Sequence, residues 1–184
     1  MRVFVTGGSG VLGRALMPLL RDRGDEVVAP GRTELDLFDP AALAPVVAAT
    51  DAVVHLATRI PPRSRFREPG AWDNNDRLRA VASRLLVDAA LAAARPAAYV
   101  QVSIAFGLDT PFGASAVEAE RQAARFAAAG RRGVVVRIGL LYGPGAATAE
   151  PDRGPGLPVA HVDVAARALR DALEAPSGTY EVAE

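Results

Sequence analysis

The residues best placed to do chemistry lie within the first thirteen positions. Val3-Phe4-Val5 is a short apolar run, Thr6-Gly7-Gly8-Ser9-Gly10 a glycine-rich turn, and Val11-Leu12-Gly13 opens a stretch of helical periodicity. Glycine serves where a turn is tight, where backbone must approach a phosphate, and where helix packs closely on strand. Gly7, Gly10 and Gly13 fill those roles, and the helix that follows aims free N–H groups and its positive dipole end at an anion. A strand before the turn and an amphipathic helix after it make this spacing a specific signal for a pyrophosphate cradle.

The elements that hold this loop can be followed along the chain. Leu12, Ala15, Leu16, Leu19 and Leu20 mark one face of a helix over Val11–Arg23, and Gly24 stops it. Val27-Val28-Ala29 reads as a short strand ended by Pro30-Gly31, with Arg32 following where an acidic residue would hold a ribose 2′-hydroxyl. Arginine there either suits a 2′-phosphate or is a solvated loop residue. Glu34-Leu35-Asp36-Leu37 reads as an edge strand, Pro40 opens a helix with Leu43, Val46 and Val47 on one face, and Ala52–Ala57 forms a further strand. Arg59, Arg63, Arg65 and Arg67 leave that strand's C-terminal end, where parallel sheets bind ligands; they either meet an anionic small molecule or form a solvated loop.

After Asn75 a long helix is expected with Leu78, Val81, Ala82, Leu85, Leu86 and Ala89 buried, followed by a strand over Tyr99–Ser103. A helix then runs to Gly130, and a strand starts at Val134. Ala146–Pro158 reads as loop, Asp163 as the N-cap of a last helix, and Thr179–Val182 as a last strand.

Composition sets the outer limits. The 184 residues, half of them apolar, suffice for one domain over 1–184 with a sizeable core. Cysteine is absent, formal net charge is zero, and no apolar run reaches the length of a membrane span. A disulfide framework, a thiolate metal site, a dedicated nucleic-acid binder and a membrane protein are all disfavoured, and a cytoplasmic protein is expected. His55, inside an apolar strand and far from His161, reads as a packed residue rather than a metal ligand. All 21 basic residues are arginine; the chain contains no lysine.

The spacing Thr6-Gly7-x-x-Gly10-x-x-Gly13 resembles the short-chain dehydrogenase/reductase superfamily, in particular its extended branch of epimerases, dehydratases and reductases. Further segments carry the likeness: Asp36-Leu37, His55-Leu56-Ala57, the helix from Asn75 to Ala90, Ser103, Tyr142-Gly143-Pro144-Gly145 and His161-Val162-Asp163-Val164-Ala165. The resemblance implies a three-layer, doubly wound α/β Rossmann fold, with a parallel sheet of about seven strands in the order 3-2-1-4-5-6-7 and a much reduced substrate lobe. It implies cofactor contacts from Thr6, Gly7, Ser9, Gly10, Val11, Leu12, Gly13, Asp36, Leu37, Leu56, Ala57, Thr58 and Ile138. Ile138 stands where a proline usually presents its backbone to the nicotinamide. Ser103 matches the serine that bonds a substrate oxygen. Dimers in the family form through the helices that here span Asp76–Ala94 and Ser115–Ala129.

One part of the pattern is absent. The family's tyrosine and lysine, which transfer the proton and hold the nicotinamide ribose, align with Phe112 and Ala116. Three readings stay open. The first is an NADP-dependent reductase or epimerase-like enzyme, with NAD as the alternative cofactor, whose proton comes through Ser103, a carboxylate such as Glu118 or Glu120, or ordered water. The second is a redox-neutral cyclase, isomerase or lyase using the same cleft. The third is a non-catalytic dinucleotide sensor.

Overall fold

The computed structural model of the chain describes residues 1–151 and 156–184. Five strands, β1 (Arg2–Thr6), β2 (Glu26–Val28), β3 (Ala52–His55), β4 (Ala98–Ile104) and β5 (Arg132–Ile138), form a parallel sheet closed on one edge by β8 (Gly178–Val182). The order is β2-β1-β3-β4-β5-β8, so the chain reverses direction across the sheet beside β1. That reversal opens a crevice at the C-terminal ends of β1 and β3.

Alternation along the strands builds two cores. Val3, Val5, Val54, Val100, Val134 and Val136 face α1 (Val11–Asp22) and α6 (Val162–Ala172), which supply Leu16, Leu20, Ala165 and Leu169. Phe4, Val53, Tyr99 and Val135 face the other way, onto Leu43 and Val47 of α2 (Pro40–Ala48), Leu86 and Val87 of α4 (Ser83–Ala92), and Phe126 of α5 (Ala114–Ala128). Each buried valine, leucine or phenylalanine contributes roughly 1.5–3 kcal/mol relative to exposure, so these layers hold the strand ends rigidly in place. The three-layer Rossmann architecture is as expected.

Four details differ from the expectation. The sheet has six strands rather than seven, because residues 34–37 turn instead of extending. There the Glu34 carboxylate accepts from the Gly31 N–H at 2.5 Å and Asp36 Oδ1 from the Phe38 N–H at 2.9 Å. Such local bonds outcompete an edge ladder in a segment of low strand propensity. The chain beyond β5 also adds a small parallel pair, β6 (Leu140–Tyr142) with β7 (Val159–His161), where Gly139 passes the backbone at Pro158 with no room for a Cβ. Most of the loop expected over Ala146–Pro158 is described as turn and coil; residues 152–155 lie outside the described residues. The last helix is capped by His161, whose Nδ1 accepts from the Asp163 N–H at 3.2 Å, and not by Asp163.

The fourth difference shifts a helix face. The helix begins as α3 (Asp73–Arg77), passes through a π turn over Leu78–Ala82, and continues as α4. A π turn holds one more residue than an α turn, which advances the side chains by about 100° around the axis. The buried set becomes Asn75, Arg79, Ala82, Ser83, Leu86, Val87 and Ala90, and Leu78, Val81, Leu85 and Ala89 are only partly covered.

Candidate active site

The crevice at the sheet reversal is a cleft of about 710 Å³. Thr6, Gly7, Ser9 and Gly10 form its floor, Arg32, Asp36 and Leu37 one wall, and Leu56, Ala57 and Thr58 the other. Val11, Leu12, Gly13 and Ile138 do not line it. Val11, Leu12 and Gly13 make the first turn of α1, and Ile138 is 4% exposed in the core at the end of β5.

The loop has the geometry of an anion cradle. Gly7 takes φ +72°, and a Cβ on it would lie 2.8 Å from the Ala57 nitrogen, so the turn rests directly on the end of β3. Gly10 caps α1 with no side-chain bond, and the first turn carries no acidic residue. The N–H groups of that turn therefore keep their capacity for a bound anion. A Cβ on Gly10 would meet only the Gly7 carbonyl, at 3.2 Å, which leaves the cleft side open to a ligand's backbone-close approach.

A buried polar network ties the floor to the π turn. His55 Nε2 lies 3.1 Å from the Leu78 carbonyl, an acceptor only, so that nitrogen carries the proton. His55 Nδ1 is then the acceptor of the Thr6 hydroxyl at 2.6 Å, and Thr6 Oγ1 in turn accepts from the Ala57 N–H at 3.3 Å. Burial drives the His55 pKa down to about 4, against the raising effect of the Leu78 bond. The histidine is a packed strut, as its sequence context suggested.

Ser103 is 3% exposed on the α5 side of the sheet, outside the cleft wall. Its hydroxyl donates to Glu120 Oε1 at 2.6 Å, and both Glu120 oxygens accept from Arg137, at 2.9 and 2.7 Å. The Glu120 hydrogen bond outweighs desolvation and raises the Arg137 pKa. Glu118 instead bonds Gln122 and Arg121 along its own helix. Ser103→Ala is expected to cost about 1 kcal/mol, read as a lower urea midpoint, without changing dinucleotide affinity. An affinity loss above about tenfold would place the hydroxyl in contact with the ligand.

Of the four loop arginines, only Arg59 lines the cleft; Arg65 bonds Glu68 at 2.6 Å on the surface. Several wall residues carried no sequence signal. Phe38 forms part of one wall and is backed by the Arg77 guanidinium 3.9 Å from its ring centre. Asn74 and Leu78 close another side, and Asn75 Oδ1 accepts from the Arg59 N–H at 3.1 Å. Phe112, where the missing tyrosine aligns, packs edge-on against Trp72 at 4.6 Å, and Trp72 packs on Phe66 at 5.0 Å. Tyr99 is no substitute acid, since burial raises its pKa and its hydroxyl donates to Gln101.

A glycine cradle at the reversal point of a doubly wound sheet defines a Rossmann-type nucleotide-binding protein. The chain belongs to the NAD dependent epimerase/dehydratase family, whose sequence model matches residues 3–162. A 3-diazoavenalumate denitrifying reductase of a Streptomyces species is 34% identical over 191 residues, covering 86% of this chain and 62% of that protein. The chain spans less than two thirds of the length of the curated relatives it matches. In fold it is similar to the UDP-glucose 4-epimerase of Thermus thermophilus in complex with NAD, with a TM-score of 0.79 and 20% identity over 100% of this chain and 78% of that one. RMD from Pseudomonas aeruginosa complexed with NADPH gives a TM-score of 0.76, again at 20% identity over 100% of this chain and 78% of that one. Among the described residues no helix is long and apolar enough to cross a membrane.

Proposed function

We propose that the protein is an NADP(H)-dependent reductase or epimerase-like enzyme that acts on a small molecule without the family's tyrosine and lysine. The observation that carries this reading is the intact cradle and cleft, with Arg32 on the wall and no carboxylate in its place at the end of β2. The α1 N-terminus holds a pyrophosphate, Leu56 and Ala57 form the surface beside it, and Arg32 binds a 2′-phosphate as a charge-assisted pair. Once bound there, the dinucleotide supplies hydride transfer. Ser103, Glu120 and Arg137 are bonded to one another, which favours ordered water as the source of the accompanying proton. Arg59 on the cleft wall favours an anionic substrate, and the Streptomyces relative's name as a reductase points the same way as the cleft.

Calorimetric titration with NADP, NADPH, NAD and NADH tests the reading. Micromolar binding of the phosphorylated pair is expected, and Arg32→Ala is expected to erase about tenfold of its preference over NAD(H). Absence of heat with all four dinucleotides would remove the cofactor from the scheme. Phe112 and Ala116 at the dyad positions favour a second reading, a redox-neutral reaction in the same cleft. Product formation only with stoichiometric cofactor oxidation would exclude that second reading.

A further inference from the structure

We infer that Arg79 is the cation of the reaction site, replacing from the neighbouring helix the lysine that α5 lacks. The inference rests on the proposed dinucleotide-dependent reading. Arg79 is 5% exposed and is the one buried arginine among the described residues. Its Nη1 is buried without a hydrogen-bond partner, and the attraction of Asp76, one turn earlier on the same helix, is outweighed by desolvation, which lowers the Arg79 pKa. Burying a guanidinium this way is unfavourable, and a structural role is better served by an apolar side chain of similar volume.

Its position gives the charge a use. Asp76 Oδ1 accepts from the Ser115 hydroxyl at 2.7 Å, which fixes α3 against the first turn of α5. Both helices belong to crossovers between parallel strands, so they run in the same direction. Arg79 lies three residues after Asp76 on the same face, and the π turn that carries it packs on α5. The matching turn of α5 presents Ala116 and Ala119, 1% and 0% exposed. Two small residues leave room there for a long side chain from the facing helix, and Ala116 is the aligned lysine position. The same π turn carries Leu78 on the cleft wall, and Arg79, which does not itself line the cleft, follows directly behind that wall. Its guanidinium is suited to hold a ribose hydroxyl or a developing substrate oxyanion by charge and N–H donation; its ordinary pKa is too high for it to be the proton donor.

Three variants of the intact chain test the assignment by NADPH calorimetry and thermal melting. Arg79→Gln shortens the side chain and removes the charge while keeping an amide donor, and is expected to weaken NADPH binding at least about tenfold. Arg79→Lys is expected to restore binding to within about threefold. Arg79→Met is expected to weaken binding like the glutamine variant, yet to melt no lower than wild type, and by about 3–6 °C higher if the buried charge is as costly as its surroundings indicate. NADPH binding by Arg79→Gln equal to wild type would overturn the inference while leaving the dinucleotide reading intact. So would a methionine variant that melts lower and binds normally, or one that fails to fold while the glutamine variant binds normally. If the wild-type protein binds no dinucleotide, the reading fails first and the assignment falls with it.

Discussion

Replacing Gly13 by alanine is expected to reduce dinucleotide affinity by about a hundredfold or more and to lower stability by about 2–3 kcal/mol. A Cβ at this position would lie 2.5 Å from both the Gly7 carbonyl oxygen and the Gly8 Cα. The helix backbone and the loop backbone cannot both stay where they are. Moving the loop outward forces Gly7 against Ala57, where a Cβ-free turn already makes close contact with the end of β3. The clash therefore spreads through the cradle rather than being absorbed by a side chain. Gly10→Ala provides the contrast, because its Cβ would meet only the Gly7 carbonyl at 3.2 Å. That variant should melt within about 1 kcal/mol of wild type while still obstructing a ligand at the loop. Thermal melting and calorimetry on the two variants separate loop collapse from loop obstruction. If Gly13→Ala bound NADPH as wild type does, these N–H groups would not be the pyrophosphate site.

Acidification is expected to produce the second large effect, a loss of about 3 kcal/mol of stability between pH 6.5 and pH 4 attributable to His55. Burial depresses the folded-state pKa of this imidazole from its ordinary 6.5 to about 4. Across that interval the unfolded chain binds a proton that the folded chain does not. Stability is therefore full above about pH 6.5 and declines as the pH falls towards 4. Protonation would also place a hydrogen on Nδ1, which must accept the Thr6 hydroxyl, so the network beneath the cradle loses its acceptor. Asp51, whose carboxyl is held below its usual range first by the Arg2 N–H and then by Arg95, gives way at still lower pH. Urea midpoints measured from pH 8 to pH 4 should show the decline in wild type and a flatter profile in His55→Phe. Identical slopes in the two proteins would assign the acid sensitivity elsewhere.

The sequence was most legible where backbone geometry dictates residue type. Gly7 and Gly13 are glycines because other backbone occupies the space of a side chain, and that requirement is visible in a single chain. The alternating apolar strands were equally readable, since each face packs a separate helix layer. The segment around Leu35 misled because its leucine is buried, at 8% exposure, as a strand residue would be, while its carboxylates bond the local backbone and curl it. The π turn was invisible because a periodicity template assumes a fixed number of residues per turn; one extra residue exchanged Leu78 for Arg79 on the buried face. The Ser103–Glu120–Arg137 bonds could not be read either, as they join residues that come together only through the register of β4 on β5. Phe38 enters the cleft wall through a turn whose course no local pattern specified, and Asn74 through the first turn of α3, which starts ahead of the helix expected after Asn75.

The turn segment between β2 and α2 has a consequence for how this protein can diverge. Its shape is set by contacts a few residues long: Glu34 to Gly31, Asp36 to Phe38, and Asp39 to the Ala41 and Ala42 N–H groups. No ladder bond from the central sheet passes through it. Single substitutions at its exposed positions, Arg32, Thr33 and Asp36, can reshape the pocket wall without disturbing strand register or the core that Leu35 and Leu37 join, which gives evolution a short mutational path between ligands on an unchanged scaffold. A wall built from a paired strand would transmit every such change into the sheet. The same property makes Arg32, Thr33 and Asp36 the natural positions to randomise when selecting for a new dinucleotide preference.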